Sequence, residues 1–185
     1  YAEYLSQLNT KLNNYFSINF DKTYKVKKYK YNSNGSILEA DFDFKKNFKN
    51  YFLDEKITQL SFANSKIKTS FSSEKNTINI SGKYSTNKDN LLSFSLENIF
   101  DKDLLKLKLD IDYKKPINLD FINYKKPQDS VATVSLNLEK KKNSIEIKKL
   151  NLIEKDNSIL VEEINFNKNK FLSFKKIVVK TSKNG

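Results

Sequence analysis

The sequence predicts an all-β fold, an antiparallel meander of about ten or eleven strands led by one short amphipathic helix. Three observations predict it. From about residue 17 onward, apolar residues recur at every second position. Short polar connectors of hairpin length separate the alternating runs. Only the opening stretch follows a different period, with Tyr1, Leu5, Leu8, Leu12, Tyr15 and Phe16 spaced by three and four.

The elements follow in order. The spacing in "YAEYLSQLNTKLNNYF" predicts an amphipathic helix within residues 1–16. Residues 17–185 are expected to form a β-sheet segment of a larger domain. "ILEADFDF" places Leu38, Ala40, Phe42 and Phe44 on one face of a strand. Leu60 and Phe62, Ile67 and Phe71, and Ile78, Ile80 and Tyr84 continue the alternation. So do Leu92, Phe94 and Leu96. "DLLKLKLDIDYKKP" is the clearest case: Leu105, Leu107, Leu109, Ile111 and Tyr113 point one way, and Lys106, Lys108, Asp110 and Asp112 the other. "PINLDF" predicts a strand with Ile117, Leu119 and Phe121 on one face. Val134, Leu136 and Leu138 follow. In "SIEIKKLNL" the pattern slips by one between Ile145, Ile147 and Leu150, Leu152, as at a β-bulge or strand break. Ile164, Phe166, Ile177 and Val179 close the series. Such alternation marks strands buried on one face only.

The connectors are "NSNG", "SSEKN", "STNKDN", "FDKD", "EKKKN", "EKDN" and "NKNK". They are too short for crossover helices, so neighbouring strands run antiparallel. Most strands are expected to be about six to nine residues long. That is short for a lipid-facing outer-membrane barrel, whose strands need about 9–11 residues and aromatic girdles.

Composition narrows the function classes. Hydrophobic content is 38%, below the ~45–50% of common globular domains. Yet 10 Tyr and 14 Phe are far too many for a solvated tail. Cysteine and histidine are absent, which removes disulfides, thiolate metal sites, the usual general base and the commonest metal ligand. Three glycines cannot build a phosphate loop. No enzyme, metal or cofactor is expected. The net charge of +12 raises nucleic acid as a partner. All the basic residues are lysine, they are mixed with 22 acids, and Arg, the preferred bidentate donor, is missing. Nucleic acid is therefore not expected. No apolar run reaches the ~18–20 residues of a membrane span. The chain has no Met and starts at Tyr1, so it is expected to be part of a longer or processed product.

The apolar face needs a cover. A closed barrel or sandwich, a protein partner, or a lipid in a curled groove would each supply one; the period of the sequence leaves all three open.

The stretch "NSIEIKKLNLIEKDNSILVEEINFNKNKFLSFKKIVVKT", residues 143–181, resembles the C-terminal region of the AsmA-like family of bacterial envelope proteins. "NISGKYS" and "LLKLKLDID" resemble that family's strand units, and the likeness of pattern spans roughly residues 36–183. The chain departs from the family in its scarcity of glycine. The resemblance implies a periplasmic protein anchored to the inner membrane in its full-length form, with a long β-sheet curled into a groove that carries phospholipid acyl chains toward the outer membrane. The lining it implies here is Phe94, Leu96, Leu107, Leu109, Ile111, Leu119, Phe121, Leu136, Leu138, Ile145 and Ile147. Each acyl CH₂ kept from water is worth about 0.8 kcal/mol, and such a lining is expected to discriminate little among lipids. The rival expectation is a non-catalytic structural or assembly β-sandwich that binds an envelope protein.

Overall fold

The computed structural model describes residues 2–50, 53–168 and 170–182. The alternating runs become strands because a period of two puts Leu, Ile and Phe on one side of the pleat and Lys, Asp and Ser on the other. In chain order they are β1 (Leu5–Phe20), β2 (Val26–Asn50), β3 (Leu53–Ser72), β4 (Asn76–Thr86), β5 (Leu92–Phe100), β6 (Leu104–Tyr113) and β7 (Ile117–Leu119). Then come β8 (Tyr124–Lys126), β9 (Ala132–Lys141), β10 (Ser144–Glu154), β11 (Asn157–Asn167), β12 (Lys170–Ser173) and β13 (Lys176–Lys180). The main sheet has eleven strands in the order β1-β2-β3-β4-β5-β6-β9-β10-β11-β12, with β13 also on β11. All its pairings are antiparallel. β7 and β8 form a separate two-stranded unit.

Four expectations need correction. The predicted N-terminal helix is a strand: a 3-10 turn at Ala2–Tyr4 leads into β1, which pairs with β2 from Leu5↔Phe42 to Phe20↔Val26. Leu8 and Leu12 are four apart, which suits either period. Asn, Thr, Ser, Tyr and Phe are poor helix formers, and pairing with β2 decides the outcome. Tyr1, assigned to the same helix, lies outside the described residues. Second, "NSNG" is not a turn but the middle of β2, paired on both sides. Gly35 is needed there because a Cβ would sit 2.0 Å from the backbone oxygen of Lys11. Third, β1, β2 and β3 run 16, 25 and 20 residues, far beyond the expected length. Fourth, "PINLDF" does not join the main sheet. It forms β7, which carries Ile117 and Leu119, and a 3-10 turn at Asp120–Ile122 that takes Phe121 out of the strand.

The rest of the alternation holds across the sheet. One cross-strand row reads Leu12, Gly35, Ile67, Ile80, Leu96, Leu109, Leu136, Leu150, Val161 and Ile177. Every member but Gly35 is apolar, so ten strands share one greasy face. Two bulge seams preserve this face where the chain changes parity. On one flank β2 slips against β1 at Leu38, and β3 slips against β4 beside Asn64, whose φ is +48°. On the other flank the slip predicted between Ile147 and Leu150 is present as a bulge at Lys148. β11 changes parity beside Glu163, at φ +54°, so Ile159, Val161, Ile164 and Phe166 stay on the face shared with β10. Gly82 lets β3 come close at the first seam: a Cβ there would lie 2.5 Å from Ser65 Cα.

The opposite face is ionic. Glu139 sits at its centre, buried among three lysines: Lys141 at 2.5 Å, Lys148 at 2.8 Å and Lys106 at 3.7 Å. Hydrogen bonds from Lys141 and then Lys148 hold its carboxyl down at about 2, against an ordinary 4.5. A depressed folded-state pKa adds stability that is present above the unfolded value and lost as pH falls through the folded one. The protein is expected to lose stability between pH 4.5 and about 2. Glu139→Gln should flatten that acid limb, as measured by urea midpoints across the range.

Candidate functional site

The chain between β6 and β9 leaves the sheet, and this excursion creates the site. Residues 114–131 contain β7, the 3-10 turn and β8, and they fold back over the apolar face. Ile117 and Tyr124 pack on Ala132, Leu152 and Ile159, with Tyr113, Leu119, Val134 and Val161 around them. These buried residues form a hydrophobic core cluster beneath the excursion. Ala132, at 0% exposed, is wholly covered by the excursion and its neighbours.

A buried lysine fastens the excursion. Lys126, 2% exposed, donates through Nζ to the carbonyl oxygens of Lys114, Lys115 and Pro127 at 2.7, 2.9 and 3.0 Å. Its ammonium also lies 6.0 Å from the centre of the Tyr113 ring. Burial pushes its pKa below the usual lysine value, while Glu154 opposes the shift. Burial, reinforced by Glu154, pushes the Tyr124 hydroxyl up to about 12. Glu154 is itself buried and accepts a hydrogen bond from Asn157 Nδ2 at 2.9 Å.

Beside the excursion the apolar face is open and forms a recess of about 690 Å³. That falls within the range of ordinary small-molecule sites. Its floor is Leu60 and Phe62 of β3, Ile80 and Tyr84 of β4, Leu92, Phe94 and Leu96 of β5, Leu109 and Ile111 of β6, and Val134 of β9. Ile117 forms a wall. The Phe62 and Phe94 rings meet at 5.1 Å, and Tyr84 stands edge-on to Phe94 at 6.1 Å. The Tyr84 hydroxyl donates to the Asp112 carbonyl at 2.6 Å, so its polar end is turned out of the recess chemistry. Thr86, Asp89, Asn90, Lys114, Lys115 and Gln128 form a polar rim at one end.

The predicted lining divides three ways. Phe94, Leu96, Leu109 and Ile111 line the recess. Leu136 neighbours Leu109 in the same row, and Leu107, Leu138, Ile145 and Ile147 lie on the same face in the next rows, outside the recess. Leu119 packs at the edge of the buried cluster instead, and Phe121 lies in the 3-10 turn. Sequence reasoning missed the rim and the fastening role of Lys126. "KKP" before Pro116 was the available signal that β6 ends in a cationic break.

Together these features define a class: an open, single-layer antiparallel meander with one apolar face, a folded-back cover and a recess beside it. Comparison with protein-family models, curated proteins and solved structures finds no match.

Proposed function

We propose that this chain is a segment of a bacterial envelope protein whose sheet curls into an apolar groove that carries phospholipid acyl chains between the inner and outer membranes. The observation that carries the reading is the recess of about 690 Å³, floored by aliphatic and aromatic side chains of five consecutive sheet neighbours. Two further features support it. The inner-face residues Leu96, Leu107, Leu109 and Leu136 are only half-buried, as expected of a lining that awaits a ligand. The two bulge seams flank the recess, and bulges bend strands and raise their twist. The setting proposed is the periplasm, with attachment to the inner membrane made by another part of a longer protein.

Protein extracted gently from its host is expected to retain phospholipid, detected by mass spectrometry. A stable, lipid-free monomer that takes up no fluorescent acyl probe would sink the reading. A second reading, an assembly module that binds an envelope protein, is favoured by one observation: Leu8, Leu12 and Phe16 of edge strand β1 are 56%, 40% and 59% exposed on the shared face.

A further inference from the structure

We propose that the rim of the recess is a headgroup site that selects an anionic phospholipid over a zwitterionic one; the proposal rests on the acyl-groove reading above. The recess is chemically two-ended. Its body is apolar from Leu60 to Val134, while its polar lining gathers where β4, β6 and the excursion end. An amphiphile fits such a space in one orientation, with its chains inward and its head at the rim.

The charge at the rim is unbalanced. Lys115 donates to Asp89 Oδ2, so that pair is already matched. Lys114 is the surplus cation. Its ammonium has no hydrogen-bond or ion-pair partner among the described residues, although the residue is half-buried. The side-chain amides of Asn90 and Gln128 are likewise without a partner among the described residues, and each can donate. The backbone that presents Lys114 is held from behind, because Lys126 binds the carbonyls of Lys114 and Lys115. An ammonium on a held backbone, sharing one rim with amide donors, suits phosphate oxygens. A phosphatidylglycerol head brings net negative charge to Lys114. A phosphatidylcholine head brings its own cation, which offsets the attraction. The aliphatic lining alone gives no such preference, so the rim supplies a selectivity that the apolar pattern lacks.

The test compares phosphatidylglycerol and phosphatidylcholine with identical, fluorophore-tagged acyl chains. The whole chain is expected to bind the first about tenfold more tightly, the scale of one charge-assisted contact. Lys114→Gln should erase the preference by weakening phosphatidylglycerol binding more than phosphatidylcholine binding, while Lys114→Arg should keep it. Lys108→Gln, on the opposite face, should behave as wild type. Equal affinity of the wild type for both lipids would overturn the headgroup site and leave the groove standing. So would loss of preference in Lys108→Gln, which would assign selectivity to overall charge. Failure of the folded wild type to bind either lipid would overturn the groove itself.

Discussion

Lys126→Met is expected to lower stability by about 3 kcal/mol, and to do so by loosening the excursion, whose two ends the lysine ties together. Methionine keeps the length and apolar stem of lysine but donates nothing. Three carbonyl oxygens, those of Lys114, Lys115 and Pro127, lose the donor they share. Each buried, unpaired carbonyl costs about 1–3 kcal/mol, and water reaching the half-exposed ends of the excursion reduces the sum. Urea denaturation reads the total. Amide hydrogen exchange reads its location: residues 117–126 should lose protection while β1 to β4 keep theirs. A midpoint within about 0.5 kcal/mol of wild type, with protection unchanged, would show that apolar packing on Ala132 holds the excursion without the lysine.

Leu109→Lys is expected to cost about 2 kcal/mol and to abolish uptake of an acyl probe. Leu109 stands mid-row between Leu96 and Leu136 and lines the recess. Its replacement loses apolar burial and puts an ammonium against aliphatic neighbours. The cost is capped because the site is half-buried and a long lysine can reach toward water. Lys108→Leu, one residue away, is expected to stay within about 0.5 kcal/mol of wild type. Lys108 is exposed, and its 3.6 Å pair with Glu97 joins two largely solvated side chains. Thermal melts and probe titrations of both variants check this. Equal damage from the two would mean that both faces of β6 are covered.

The contrast between neighbours explains how much of the fold was legible. In β6 the alternation is strict, and burial follows it from Leu105 to Ile111. The slip between Ile147 and Leu150 was legible too, because a bulge moves apolar residues from odd to even positions and leaves a visible trace. The first strand was not, because a four-residue interval between Leu8 and Leu12 satisfies a helix and a strand equally. In "PINLDF" three apolar residues at every second position were too few to separate a long strand from a short strand followed by a 3-10 turn. All ten floor residues lay within recognised strands, and four of them were in the expected lining, but the position of the recess was set by where the excursion folds back. That placement depends on Lys126, and lysine is among the residues least often buried. Its partners are backbone carbonyls, which carry no signature in the side-chain sequence.

The meander has a mechanical consequence. Each main-sheet strand through β6 is bonded to its immediate predecessor in the chain. Tension applied at β1 therefore pulls across the strands, and the rungs of the β1–β2 ladder fail one after another rather than together. Each released strand lengthens the tether by about 3.3 Å per residue, so the three long strands yield the largest steps. Peeling then reaches β6 and β9, which are joined edge to edge but separated in sequence by the Lys126-fastened excursion. At that point the clasp must break before the next strand can follow.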